Sequence, residues 1–277
     1  MGDGVAGQPC RDLYIYYIEG RLEDNPREGG EAYIGNWVED GYSFLFFSRP
    51  AAGAVARMLS SQPGLSLVDH YQMRYEDWLG ERFQPFSVGD LLIAPPWDPA
   101  PAGEARRRIL LDPGVVFGTG THPTTRDCLD LIQQVCGSSA VRTALDVGTG
   151  TGLLALAAAS VGCRRVLAFD LNRLAVQTAR RNVDLNRLSD VVLAFQGRAE
   201  EMALLPADLM IANIHYDVMD RLLASGAVAN KSWFILSGLL RSQAEAVMRR
   251  LSDAPVDIVE RRDQDGIWHT FLGRSRA

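Results

Sequence analysis

Fourteen residues constrain the fold of this chain more than any others: Ala144-Leu145-Asp146-Val147-Gly148-Thr149-Gly150-Thr151-Gly152, leading straight into Leu153-Leu154-Ala155-Leu156-Ala157. They read as a short apolar strand, a glycine-rich turn and an alanine-rich helix. Glycines let a backbone approach a ligand closely, and the N-terminus of the following helix presents unpaired N–H groups. The pattern around this unit is consistent with it. Strand-like and helix-like runs alternate over 143–147, 153–161, 165–170, 173–186, 191–195, 208–214, 216–226, 233–236 and 241–251. Such alternation predicts βαβ units on a mostly parallel sheet, an α/β fold.

Two ligand classes use a turn of this kind. Dinucleotide sites favour GxGxxG, whose third glycine lets the helix pack on the strand. Here the glycines fall at GxGxG, and Leu153 stands where that third glycine would be. Asp146, two residues before Gly148, would repel a pyrophosphate. It suits a cationic neighbour instead, such as the α-ammonium or sulfonium of S-adenosylmethionine. Gly148 and Gly150 are then the points of closest backbone approach. A second strand, Val166-Leu167-Ala168-Phe169-Asp170, ends in an acid 24 residues after Asp146. A carboxylate there can take both hydroxyls of a ribose, so Asp170 marks a nucleoside without saying which. Gln196-Gly197-Arg198-Ala199 ends a third strand, where backbone groups can read an adenine edge. Taken singly, each of these is also an ordinary strand-end turn.

The chain has 277 residues, and at roughly 150 residues per domain that predicts about two domains. There are 28 basic against 34 acidic residues, a formal charge of −6, and Lys231 is the only lysine. That balance argues against bulk electrostatic binding to nucleic acid or an anionic membrane. The scattered cysteines Cys10, Cys128, Cys136 and Cys163 form no CxxC pair. No metal site or disulfide framework is expected, and a reducing compartment is. Met1-Gly2-Asp3-Gly4 opens without an apolar run, and Leu153 to Val161 is too short to cross a bilayer. The expectation is a cytoplasmic protein with neither a signal peptide nor a membrane partner; nothing in the sequence sets its oligomeric state. Residues 1–75 read as a small α+β domain, with strands at 13–18, 33–38 and 42–47, a helix at 51–61 and strand material to 74. Residues 76–104, dense in proline and aromatics, read as an extended bridge that resists regular structure. Residues 105–277 form the larger domain.

Upstream of the glycine turn lies Leu111-Asp112-Pro113-Gly114-Val115-Val116-Phe117-Gly118-Thr119-Gly120-Thr121-His122-Pro123-Thr124-Thr125. This string, the turn, Ala212-Asn213-Ile214, Leu236-Ser237-Gly238-Leu239-Leu240 and Ile267-Trp268 closely resemble the PrmA family, methyltransferases of the large-subunit ribosomal protein L11. Glu76-Asp77-Trp78, Phe83-Gln84-Pro85 and Pro96-Trp97 extend the resemblance over roughly residues 76 to 277. It implies a class I methyltransferase sheet of Rossmann-like type behind a small ferredoxin-like domain that recognises the acceptor. The implied enzyme is a protein (lysine) N-methyltransferase using S-adenosylmethionine. Its acceptors would be lysine side chains or the N-terminal amine of a ribosomal large-subunit protein.

By position, Thr125, Gly148, Asp170 and Asn213 match the family's cofactor contacts. With Phe117, Asp146 and Gly150 they make up the expected cofactor set. Phe117 to Pro123 would be a glycine-jointed flap over the methionine end. The implied catalytic positions are Asn213 and Thr125, with the Asn213 oxygen accepting from the amine and aiming its lone pair. Thr124 and Thr125 also begin a helix and can cap it. His122 reads as a packing or orienting residue rather than a general base.

Two segments depart from the family pattern. The link from Gly20 to Glu31 holds Pro26 and Gly29-Gly30 without a helical apolar period, which predicts a missing or degraded first crossover helix. Ile214-His215-Tyr216-Asp217-Val218 is more polar than typical members, with His215 and Tyr216 on the acceptor side. Three alternatives therefore stand beside the ribosomal acceptor: a lysine methyltransferase for a different protein, an NAD-dependent oxidoreductase, and a non-catalytic binding module.

Overall fold

The computed structural model describes residues 10–23, 26–79, 83–98, 107–138 and 140–276. It divides into two compact units. The first comprises Met1–Gln84, Pro96–Asp98 and Asn172–Leu174. Its elements are β1 (Asp12–Glu19), α1 (Pro26–Gly29), β2 (Tyr33–Glu39), β3 (Tyr42–Phe47), α2 (Ala52–Ser61), β4 (Ser66–Arg74) and the single turn α3 (Tyr75–Trp78). The strands form one antiparallel sheet in the order β2-β3-β1-β4, the ferredoxin-like βαββαβ arrangement. Asp40 and Gly41, both at positive φ, close the two-residue turn between β2 and β3.

The crossover from β1 to β2 keeps one helical turn of four residues where this topology usually carries a full helix. Pro26 starts the turn, and Gly30, at φ +71°, ends it in the left-handed conformation. α2 is amphipathic. Its Val55 and Met58 are buried against Tyr16, Ile18, Leu45 and Phe47 on one face of the sheet.

The second unit, Pro85–Pro95, Pro99–Leu171 and Ala175–Ala277, begins with a small sheet of β5 (Phe86–Val88), β6 (Leu91–Ala94) and β7 (Arg107–Leu110). Proline density predicted no regular structure here, and the prolines do flank these strands. Between them, however, Leu91-Leu92-Ile93-Ala94 is wholly buried and pairs on both edges. Then follow α4 (Pro123–Ser138), β8 (Thr143–Val147), α5 (Leu153–Ser160), β9 (Arg165–Asp170), α6 (Arg173–Leu185), β10 (Val192–Gln196), α7 (Ala199–Met202) and β11 (Ala207–Asn213). α8 (Tyr216–Ala224), β12 (Lys231–Leu240), α9 (Arg241–Ser252), β13 (Val256–Gln264) and β14 (Trp268–Ser275) complete the chain.

Seven strands form the main sheet in the order β10-β9-β8-β11-β12-β14-β13. The first five are parallel, and β14 runs against both its neighbours. The chain moves outward from β8 through β9 to β10, then returns to place β11 on the other side of β8. That reversal makes the crevice at the carboxyl ends of β8 and β11 the natural place for a ligand. The core contains Phe169, Met210, Phe234, Leu236 and Phe271, and α5 is buried from Leu153 to Ala158. At the opposite end of β12 lies Lys231, 1% exposed; its Nζ donates to the Ala227 carbonyl at 3.1 Å and to Asn230 Oδ1. Burial lowers its pKa to about 8. Among the described residues no helix is long and apolar enough to cross a membrane. Among the described residues no group of three or more His, Cys, Asp or Glu side chains is placed to hold a metal ion.

Candidate cofactor and acceptor site

Asp146 lies near the end of β8 and is 1% exposed. Its Oδ2 accepts from Thr149 Oγ1 at 2.5 Å and from the Ala155 N–H at 3.1 Å. One carboxylate thus fastens the turn to the first residues of α5. Burial pushes its pKa up to about 6 against those two hydrogen bonds, with Asp170 adding a smaller push in the same direction. Asp170 closes β9, and its Oδ2 accepts the Gly150 N–H at 3.1 Å. The two acids therefore hold the turn from either side.

Above it runs the segment from Phe117. The Phe117 carbonyl accepts the Thr151 N–H at 3.2 Å, and the Gly118 carbonyl accepts Thr151 Oγ1 at 2.6 Å. Gly150 permits this approach: at φ +55°, a Cβ on it would meet the Phe117 carbonyl oxygen at 2.5 Å. The Phe117 ring itself is 74% exposed. On the other flank, a Cβ on Gly148 would meet Ile214 Cγ2 at 2.4 Å, so the turn packs directly on the residue after Asn213.

Asn213 ends β11, and its amide Nδ2 donates to Thr125 Oγ1 at 3.3 Å. With Nδ2 engaged by Thr125, Oδ1 is the amide atom left to accept. Gly238, beside the Asn213 partner Ser237 in β12, sits where the β12–β14 register shifts. A Cβ there would stand 2.9 Å from Asn213 Oδ1. Asn213 and Thr125 come together across 88 residues, and Gly148, Gly150, Asp170 and Phe117 join them through the contacts above.

Thr125 is 3% exposed in the first turn of α4. Capping falls to His122, not to Thr124 or Thr125. The His122 Nδ1 lies 2.7 Å from Thr124 Oγ1 and accepts the Thr124 N–H at 3.4 Å. Its ring meets the edge of Trp268 at 4.8 Å, and burial lowers its pKa. His215 and Tyr216 lie at the start of α8, two and three residues beyond Asn213.

One part of the site carries no signal in the sequence read singly. Beneath α4, the buried Asp127 accepts from Gln264 Nε2 at 2.8 Å and from Thr270 Oγ1 at 3.2 Å. Thr270 Oγ1 is 2.6 Å from Ser237 Oγ. Four common polar residues dispersed over 143 positions make this network, and only the burial of Asp127, Ser237 and Thr270 distinguishes it. Gly238 had a signal in the Ser-Gly of Leu236-Ser237-Gly238-Leu239-Leu240, but a single glycine does not say which side chain it makes room for.

The chain is similar to proteins of known kind. The family model for ribosomal protein L11 methyltransferase (PrmA) matches residues 51–276. The ribosomal protein L11 methyltransferase of Pelotomaculum thermopropionicum is 36% identical over 233 residues, 82% of this chain and 74% of that protein. That of Desulforamulus reducens is 33% identical over 212 residues, 73% of this chain and 66% of the relative. The chain therefore spans just under two thirds of the length of the Desulforamulus protein, and 63% of that from Carboxydothermus hydrogenoformans. The crystal structure of a ribosomal protein L11 methylase from Lactobacillus delbrueckii subsp. bulgaricus superimposes with a TM-score of 0.60 at 26% identity. It covers 70% of this chain and all of that one. On sequence and fold together, the chain belongs to the ribosomal protein L11 methyltransferase (PrmA) family.

Proposed function

We propose that this chain transfers methyl groups from S-adenosylmethionine to amino groups, lysine side chains or an N-terminal amine, of a large-subunit ribosomal protein in the cytoplasm. The observation that carries this reading is the Asn213 amide, fixed by Thr125 at the switch point of the sheet, beside a glycine turn held between two acids. The residues fit the cofactor: a glycine turn whose Gly148 and Gly150 leave room for Ile214 and the Phe117 carbonyl to pack on it, a carboxylate at the end of β9, and negative charge beneath the turn. When bound, S-adenosylmethionine supplies an electrophilic methyl carbon on a sulfonium.

Asp170 would bond the ribose, Phe117 would cover the methionine end, and Asp146 would supply the negative potential beneath it. The Asn213 oxygen accepts from the neutral acceptor amine and directs its lone pair at the methyl carbon. That nitrogen would take the methyl of the bound cofactor as the sulfonium C–S bond is lost, and the extra proton would pass from the amine to water. Thr125 contributes by holding the amide, and most of the acceleration is positioning.

A second acceptor, a protein unrelated to the ribosome, is favoured by one observation: the family match starts at residue 51, so β1, β2 and β3 lie outside it. Incubation with methyl-labelled cofactor and a methyl-deficient cell extract decides between them. Label in one ribosomal large-subunit band is expected, and label in another band transfers the assignment to that protein. Asn213→Ala should lower transfer about 100-fold or more while S-adenosylhomocysteine still raises the melting temperature. Stabilisation by NAD and none by S-adenosylhomocysteine would instead mean an oxidoreductase. Unchanged transfer in Asn213→Ala would remove its catalytic role.

A further inference from the structure

Two of the four cysteines scattered through the sequence meet in the fold. Cys136 lies in the last turn of α4, and Cys163 stands between α5 and β9, 27 residues further on. Their sulfurs are 3.9 Å apart. The backbone brings them together. α4 packs on α5, and the Cys163 N–H donates to the Ala158 carbonyl at 3.0 Å. The next two residues, Arg164 and Arg165, both donate to the Arg142 carbonyl. Cys163 is buried, whereas Cys136 is partly exposed and is followed by the exposed Gly137 and Ser138. A reagent in solution therefore reaches Cys136 first, with Cys163 already beside it.

Thiol reactivity follows the thiolate. The Cys163 thiol donates to Cys136 and lowers its pKa below the ordinary thiol value. The same bond, with burial, holds Cys163 above that value. Cys136 is thus the nucleophile and Cys163 the resolving thiol. Cys128, fully buried, is different: burial pushes its thiol up to about 12. A disulfide places its sulfurs about 2 Å apart. The movement that closes the gap falls to Cys136, because the last turn of a helix yields most readily.

We infer that Cys136 and Cys163 form a reversible oxidation site, a thiol pair that closes to a disulfide on reaction with a peroxide. The Cys136 thiolate attacks one peroxide oxygen, and the O–O bond breaks. This leaves a sulfenic acid on Cys136 and a hydroxide that takes up a proton to become water. The Cys163 sulfur then attacks the sulfenic sulfur, forming the S–S bond as the S–O bond breaks, and its proton leaves with the hydroxyl as a second water. Together the thiols give up two electrons and two protons, and one hydrogen peroxide becomes two waters. A dithiol reverses the change.

The span between the two cysteines contains β8, the glycine turn and α5, so the bond would close a loop around the candidate cofactor unit. The sulfurs themselves lie away from that site. Cys163 precedes β9, whose far end carries Asp170, and Cys136 is three helical turns, about 16 Å, along α4 from Thr125. The inference therefore stands apart from the proposed methyl transfer.

The test treats the full chain with a small molar excess of hydrogen peroxide, alkylates it with iodoacetamide and digests it without reduction. Mass spectrometry should find Cys136 joined to Cys163, and dithiothreitol should return both to alkylation. On a non-reducing gel the product should run as a monomer. Its melting temperature should exceed that of the reduced chain by several degrees, because the bond restricts the unfolded state. Cys136→Ser, at a partly exposed position, should show neither cross-link nor rise, and it carries the test if Cys163→Ala fails to fold. The inference is overturned if both thiols are still alkylated after peroxide, or if Cys136 stops at sulfinic acid with Cys163 free. A Cys136-linked dimer, or an oxidised chain that melts no higher than the reduced one, overturns it equally.

Discussion

Gly238 shows how a residue with no side chain sets the state of a neighbour that has one. Its hydrogen leaves the Asn213 oxygen clear, and at φ +81° an alanine there is strained as well as crowding that oxygen at 2.9 Å. Gly238→Ala should cost roughly 1–2 kcal/mol in stability and lower methyl transfer at least ten-fold. Binding of S-adenosylhomocysteine by calorimetry should stay within two-fold. A proportional loss of both would assign the glycine to the cofactor side. Asp146 carries a pH signature. A carboxyl raised from 3.8 to about 6 favours the protonated folded state. Its contribution is full below the unfolded value and is lost as pH rises through the folded one, a difference of about 3 kcal/mol. Asp146→Asn should thus gain in melting temperature relative to the wild type between about pH 4 and 7, then hold a constant difference. A difference flat across that range would place the ionisation elsewhere.

At the scale of elements, the glycine turn and its overlying segment act as one piece, because Thr151 bonds both to Phe117 and to Gly118. Gly150→Ala would drive a methyl into the Phe117 carbonyl, which is backbone and cannot rotate away. Cofactor affinity should fall at least ten-fold while β8 and α5 remain folded by circular dichroism; an unchanged dissociation constant would separate the flap from the cofactor.

These elements were also the ones most readable from sequence. Ala144 to Ala157 changes from apolar strand to glycine turn to helix with no ambiguity of period, and Asp170 and Asn213 each close an apolar run. β13 and β14 were not read. Glu260, Arg262 and Gln264 alternate with exposed Val259, Arg261 and Asp263 on an edge strand, so neither face looks apolar. Thr124 and Thr125 could each have capped α4 on sequence alone; that the His122 side chain bonds the first turn is seen only once its ring lies against Trp268. The short α1 was foreseen because Pro26 and Gly29-Gly30 act locally, and local signals survive without knowledge of the tertiary partner.

Over the whole molecule, charge is distributed by use more than by total. The −6 is a small excess over 277 residues. Yet three consecutive strands carry no basic residue at all, and the sole lysine is sealed at the end of β12 away from Asn213. That seal has a practical result. In an assay of the proposed methyl transfer, this chain should add no side-chain lysine signal of its own. Peptide mass spectrometry after prolonged incubation with cofactor alone should find Lys231 unmodified, and a methylated Lys231 would require the native end of β12 to open. Every labelled lysine in a mixture then belongs to another molecule, so under the proposed function the chain can be used at high concentration to find weak lysine acceptors without a lysine background to subtract.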